Sequence, residues 1–177
     1  GKLPFTFPVR LEDNGAHALG EYPGADKVKY NESIFVGYRW HDKEQLKPLF
    51  AFGHGLSYTA FAVGNVKADR TTLAPNGSIR ISADVTNTGD RAGAEVVQLY
   101  IGDEQSSLPR PVKELKGFQK VSLNPGQTRT VTFEITPGML QYYDDAKGAW
   151  VAEPGAFTAY VCAASDDIRG TVEFELK

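Results

Sequence analysis

Ser78-Ile79-Arg80-Ile81-Ser82-Ala83-Asp84-Val85-Thr86-Asn87 decides the fold. Ile79, Ile81, Ala83 and Val85 fall on one face and Arg80, Ser82, Asp84 and Thr86 on the other, the period of a half-buried strand. Arg129 to Ile135 repeats it with Val131, Phe133 and Ile135. So do Ala156 to Ala163, with Phe157, Ala159 and Val161, and Gly170 to Leu176, with Val172, Phe174 and Leu176. Phe61 to Lys67, Glu95 to Ile101 and Phe118 to Leu123 are further strand candidates. Val96, Val97, Leu99 and Ile101 are apolar on both faces, which predicts a central strand. Turn signals separate the runs: Pro75-Asn76-Gly77, Asn87-Thr88-Gly89-Asp90, Asn124-Pro125-Gly126 and Glu153-Pro154-Gly155. No stretch after residue 60 has the apolar spacing of a long helix, and Thr136 to Leu140 makes at most one turn. Seven or so short strands over residues 61–177 match an immunoglobulin-like sandwich of about 100 residues. The single cysteine, Cys162, leaves no internal disulfide, so the fibronectin type III variety fits better and an apolar core must hold it together.

Residues 1–60 have a different texture. They hold ten of the 20 aromatic residues, yet only Ile34-Phe35-Val36-Gly37-Tyr38 reads as a strand. Pro8 to Tyr30 has no period, which is unusual inside a compact domain. Aromatics without regular elements to organise them predict docking onto a surface supplied from elsewhere. The opening Gly1-Lys2-Leu3-Pro4, without methionine, reads as the middle of a longer polypeptide. Leu49, Phe50, Phe52, Leu56 and Tyr58 are expected to pack on the sandwich or on one another. Pro8 to Tyr30 is expected to be mobile unless another surface orders it.

Composition narrows the function. The chain of 177 residues is 41% hydrophobic and 23% charged, with 18 glycines and 10 prolines, a turn-rich globular balance against a usual Gly-plus-Pro share of ~12%. A net charge of −3 and a pI near 5.6 argue against nucleic acid or an anionic membrane as partner. The longest apolar run, Ala159 to Ala164, is too short to span a bilayer. No basic-then-apolar leader pattern opens the chain.

The chemistry-bearing residues each have a plain structural reading. Glu12-Asp13, Asp103-Glu104, Asp144-Asp145 and Asp166-Asp167 sit in turn-like contexts and read as solvated loop tips, without the apolar setting that raises the pKa of a general acid. His17, His41 and His54 lack metal-ligand spacing, and no serine elbow or phosphate loop accompanies Phe52-Gly53-His54-Gly55-Leu56. Cys162 lies on a strand and reads as a small buried thiol. Asn31-Glu32-Ser33 and Asn76-Gly77-Ser78 are glycosylation sequons. Trp40, Trp150, Tyr142 and Tyr143 are the candidates for a sugar-stacking platform, with packing at a sandwich corner favoured for the two tyrosines. No catalytic residue, metal ligand or cofactor site is assigned. Trp40 is a weak substrate-binding candidate, and Phe50, Phe52, Leu56 and Tyr58 are candidates for interdomain packing.

The longer motifs resemble a known family. Gly1-Lys2-Leu3-Pro4-Phe5-Thr6-Phe7-Pro8, Tyr22-Pro23-Gly24, Tyr30 to Trp40 and Pro48 to Tyr58 resemble the C-terminal part of glycoside hydrolase family 3 β-glucosidases. Val85-Thr86-Asn87-Thr88-Gly89, Gly93 to Tyr100, Arg110 to Phe118, Leu123-Asn124-Pro125-Gly126 and Trp150 resemble the fibronectin type III-like domain of the same enzymes. Ala51, where the family often has proline, and Trp40, where it often has tyrosine, are mild departures. The resemblance implies a mainly β chain. Residues 1–60 would be a loop-rich remnant of an α/β sandwich domain with its linker, and 61–177 the fibronectin type III-like sandwich. It implies a parent enzyme that hydrolyses β-glucosides with retention through an aspartate nucleophile and a glutamate acid/base, both upstream of Gly1, so no position here inherits either role. The implied partners are the N-terminal catalytic domains, a β-glucoside substrate reached through the whole enzyme, and a homodimer contact. The implied location is periplasmic or secreted. The competing reading is a sandwich module that grips plant-wall polysaccharide.

Overall fold

The computed structural model describes residues 1–20 and 22–177. Eight strands between Phe61 and Leu176 build two facing sheets. The smaller is antiparallel, in the order β1 (Phe61–Ala68), β3 (Ile79–Asn87), β6 (Thr128–Ile135). The larger runs β2 (Thr72–Leu73), β10 (Asp167–Leu176), β9 (Gly155–Ala164), β4 (Gly93–Asp103), β5 (Glu114–Leu123), with β2 added parallel to β10 at one edge. A separate hairpin pairs β7 (Tyr142–Asp144) with β8 (Ala149–Val151). The arrangement is mainly β and of the fibronectin type III-like kind.

The period-two pattern is what closes the core. Ile79, Ile81, Ala83 and Val85 are all buried, and they meet Val131, Phe133 and Ile135 in register, Ile81 opposite Phe133. From the other sheet come Val97, Leu99, Ile101, Phe157, Ala159, Val161, Phe174 and Leu176, with Phe157 and Phe174 stacked at 5.7 Å. β4 lies between β9 and β5, as its two-faced apolarity predicts. At the Asn87 turn one buried amide makes four bonds. Its Oδ1 accepts from Thr59 Oγ1 (2.8 Å) and Gly89 N (3.1 Å), and its Nδ2 donates to the carbonyls of Arg91 (2.7 Å) and Leu123 (3.0 Å).

Three expectations for the N-terminal segment need correction. Pro8 to Tyr30 is not without elements, since Leu11–Asp13 is a 3-10 turn and Gly15–Ala18 a one-turn helix, α1, capped by Asn14 Oδ1 on Ala16 N at 3.1 Å. Ile34 to Tyr38 is not a strand: Ser33 and Gly37 take φ of 54° and 58°, which breaks extended backbone, and Tyr38–Lys43 forms a helix, α2. Leu56 and Tyr58 do not pack on the sandwich, being 88% and 95% exposed.

Candidate functional site at the seam

The N-terminal segment is fastened to the sandwich by polar groups rather than by a second apolar core. Its two ends pair first. Leu3 N donates to His54 O at 2.8 Å, Gly53 N donates to Leu3 O at 2.8 Å, and Phe7 N donates to Phe50 O at 2.8 Å. The paired ends then lie along β4 and β9. Lys2 Nζ meets Glu95 Oε1 at 2.7 Å and Ala163 O at 3.1 Å, and Ser165 N donates to Phe52 O at 2.9 Å. Gly53 takes φ 81° directly against the Gln98 side chain, so close that a Cβ would fall on the amide. Gln98 in turn donates to Ala163 O at 3.0 Å and accepts from Tyr100 Oη at 2.6 Å.

α2 supplies the second fastening, three residues wide. Tyr38 Oη accepts from Leu115 N at 2.9 Å, Arg39 approaches Glu114 at 3.3 Å, and Asp42 Oδ2 stands 2.6 Å from Lys113 Nζ. Tyr38 also packs edge-on against Tyr100, ring centroids 5.5 Å apart. Beyond it, Arg110 forms the centre of a charged cluster, bonded to Asp103 (2.9 Å), Glu114 (2.7 Å) and the Leu140 carbonyl (3.0 Å), with its guanidinium 5.2 Å from the Tyr142 ring centroid. Burial pushes the Asp103 carboxyl up despite the Gln105 amide and Arg110. Burial acts the same way on Glu114, but Arg110, Lys116 and Arg39 outweigh it and hold its pKa below the usual glutamate range. Desolvation lowers Lys116 and pushes the Cys162 thiol up to about 12, so Cys162 is an inert core group.

Several residues singled out in the sequence change character here in ways their spacing did not show. Asp13, Asp103 and Asp144 are not solvated loop tips. Asp13 is buried and paired with Arg10 at 3.0 Å, and Asp144 is buried, accepting from the amides of Ala146 (3.0 Å) and Lys147 (3.2 Å). Trp40 offers no sugar platform: it is 6% exposed, donates from Nε1 to Asp13 O at 3.1 Å, and covers Gly15. His41 is buried, with Nδ1 3.2 Å from Leu46 O. Of the favoured corner tyrosines, Tyr142 is half-buried under Arg110, whereas Tyr143 faces solvent beside Trp150 at 5.7 Å and 69°. Phe52 packs on Tyr38 at 5.5 Å, but Phe50 is half-exposed and meets Phe7 (6.1 Å) and His54 (5.2 Å). Phe5, 4.6 Å from Phe7, completes an outward aromatic cluster. Among the described residues no group of three or more His, Cys, Asp or Glu could hold a metal ion, and no helix is long and apolar enough to cross a membrane.

Comparison with known proteins places this geometry. Residues 95–165 match the fibronectin type III-like domain family. The chain is 53% identical over 178 positions to β-glucosidase BoGH3A of Bacteroides ovatus, a match that covers 99% of this chain but 24% of that protein. It is 46% identical to thermostable β-glucosidase B of Acetivibrio thermocellus, over 95% of this chain and 22% of that protein. The crystal structure of a Bifidobacterium adolescentis GH3 β-glucosidase superposes with a TM-score of 0.91 at 34% identity, over 99% of this chain and 26% of that one. That of the Kluyveromyces marxianus β-glucosidase in complex with glucose gives 0.89 at 41% identity, over 100% of this chain and 21% of that one. The chain therefore spans about a quarter of the length of the proteins it matches.

Proposed function

We propose that this chain, which belongs to the glycoside hydrolase family 3 β-glucosidases as their C-terminal part, is the non-catalytic brace of a larger retaining β-glucosidase. Residues 1–60 would be the end of an α/β sandwich domain with its linker, and 61–177 the fibronectin type III-like module clamped to it. The carrying observation is the two-sidedness of the N-terminal segment. One side is bonded to the sandwich through Lys2, Tyr38, Arg39 and Asp42. The other turns Phe5, Phe7, Val9, Phe50, Leu56 and Tyr58 to solvent. Phe5, Phe7 and Phe50 touch ring to ring, and an exposed apolar cluster of this kind marks a contact surface. The patch fits the catalytic domains of the same polypeptide, and through them a β-glucoside. Phe50, Leu56 and Tyr58 are its interdomain contacts, while Phe52 faces the sandwich.

The alternative, a polysaccharide-gripping module, has Tyr143 and Trp150 exposed on one hairpin, with rings inclined at 69° rather than coplanar, and Phe118 exposed apart from them on β5. The test is reconstitution. The isolated chain should hydrolyse no aryl β-glucoside and should not sediment with insoluble cellulose or xylan. Added to a catalytic-domain polypeptide, it should raise that polypeptide's thermal midpoint, and Phe7→Ser with Phe50→Ser should abolish the gain. Sedimentation lost on Trp150→Ala would establish the alternative.

A further inference from the structure

Within the N-terminal segment lies a cavity of ≈ 210 Å³, walled by Thr6, Glu32, Phe35, Val36, Trp40 and His41. It contains a chemical imbalance. Glu32 is 9% exposed, and its Oε2 is buried with no hydrogen-bond partner among the described residues; the same holds for Thr6 Oγ1. A carboxylate oxygen only accepts, and leaving one dry and unpartnered is expensive. Asn14 and the Thr6 hydroxyl carry donor hydrogens in the walls, but neither bonds Glu32 Oε2. Trp40 Nε1–H is committed to Asp13 O at 3.1 Å. His41 Nδ1 faces the Leu46 carbonyl at 3.2 Å, so that nitrogen donates there and not into the cavity. The cavity therefore presents an unpartnered buried carboxylate oxygen beside aromatic faces.

Its shape and chemistry select among cations. A single carboxylate is a poor metal site, since hard cations take six or more oxygen ligands. Aromatic faces suit a flat or alkylated cation. Phe35 and Trp40 already hold the Lys43 ammonium 5.1 Å from each ring centroid. A planar guanidinium can bond a carboxylate through two parallel N–H groups while lying flat on a ring; an ammonium offers only a point charge to each.

We propose that this cavity is the receptor for an arginine side chain of the larger polypeptide, with the Glu32 carboxylate as its counter-charge and Thr6 Oγ1 as a second acceptor. The identity of the donor rests on the bracing role given above; the cation-binding cavity does not.

The experiment uses methylguanidinium as probe and N-methylurea as its neutral counterpart, titrated into the isolated chain at constant ionic strength and followed by amide nitrogen–proton shifts. Methylguanidinium should shift Thr6, Glu32 and His41 saturably. N-methylurea should not, and Glu32→Gln should weaken binding about tenfold, the loss of a charge-assisted bond. No saturation, equal response to N-methylurea, or undiminished binding to Glu32→Gln would overturn the proposal, the last two by showing that only water or a neutral donor is wanted. The thermal midpoint of Glu32→Gln supplies the second reading. It should be unchanged or higher in the isolated chain and lower in the full-length polypeptide; an equal fall in both would make Glu32 an internal structural group and also overturn it. Should the unsubstituted chain fail to raise the thermal midpoint of the catalytic-domain polypeptide, the bracing role fails by itself, and the titration still decides the cavity.

Discussion

Lys113 Nζ stands 2.6 Å from Asp42 Oδ2, and the lysine that makes this contact is only 5% exposed. It joins the start of β5 to the last turn of α2, 71 residues apart. Lys113 also lies 5.8 Å from the Tyr100 ring centroid, so the ammonium is enclosed by one charge and one aromatic face. Removing one partner leaves the other charge in a dry site. Lys113→Met or Asp42→Asn alone should each lower stability by about 3–5 kcal/mol, less for Asp42→Asn because that carboxylate is partly wet. The double variant Asp42→Asn with Lys113→Met should recover most of the loss. Urea midpoints of the four proteins check this, and strictly additive losses would show that the pair is not coupled.

Phe133 sits centrally in β6, opposite Ile81, and its ring lies against Gly117 of the facing sheet, where a Cβ would approach to 3.1 Å. Phe133→Ala should therefore open a cavity bridging both sheets and cost about 3–5 kcal/mol. An unchanged denaturant midpoint would contradict the assigned packing.

Gly53→Ala meets two penalties at once: φ of 81°, and a Cβ that lands on the Gln98 amide. Gln98 cannot move freely, because it bridges Tyr100 Oη and Ala163 O. A loss of about 1–3 kcal/mol is expected from breaking that buried network. Gly126→Ala, at a turn with φ 72° and open space around it, should cost less. Thermal melts of the two variants rank them, and the reverse order would refute the close-approach argument.

Much of the sandwich was legible because one face of each strand is buried and the alternation of side chains reports that directly, as at Ile79 to Val85. The seam was not. Ile34 to Tyr38 has the β-branched and aromatic composition of a strand, but two positive-φ residues, Ser33 and Gly37, override it and start a helix. Adjacent acids look alike in sequence whether wet or dry. Asp103 is buried only because Arg110 arrives from a loop and Thr158 bonds its neighbour Glu104 from β9 at 2.6 Å. Asn87 read as a turn residue, and its four bonds depend on partners up to 36 residues away. The one local clue to α2 was Gly37, the residue whose backbone freedom the helix start uses.

Acid should loosen the charged cluster through Glu114. Its pKa is lowered on folding, so the stability it contributes is fully present above the ordinary glutamate value of about 4.3 and is lost as pH falls through and below it. Asp103 acts with the opposite sign. Its pKa is raised, so its contribution favours folding at low pH and fades as pH rises through the raised value. Glu114→Gln should flatten the fall of the urea midpoint between about pH 5 and pH 3, and Asp103→Asn should steepen it. Identical pH profiles for wild type and Glu114→Gln would show that the cluster does not govern acid lability.

The last prediction concerns where the N-terminal segment opens first. Arg10 is tied to Asp13 by side chain and backbone, at 3.0 and 3.2 Å, and Asp13 is in turn held by Trp40 through its carbonyl. No described hydrogen bond reaches Pro23 to Lys29, and every residue from Tyr22 to Tyr30 is exposed. Local opening is easiest where backbone is solvated and few contacts are lost. Trypsin should therefore cut after Lys27 or Lys29 before it cuts after Arg10. The two pieces should stay together in native gel filtration, because Leu3, Phe7 and Lys2 on one are bonded to His54, Phe50 and Glu95 on the other. Lys2→Ala should then promote separation of the nicked pieces without changing the first cut. First cleavage at Arg10, or spontaneous separation of nicked wild type, would mean that the pairing of residues 1–8 with 49–54 does not hold the segment in place.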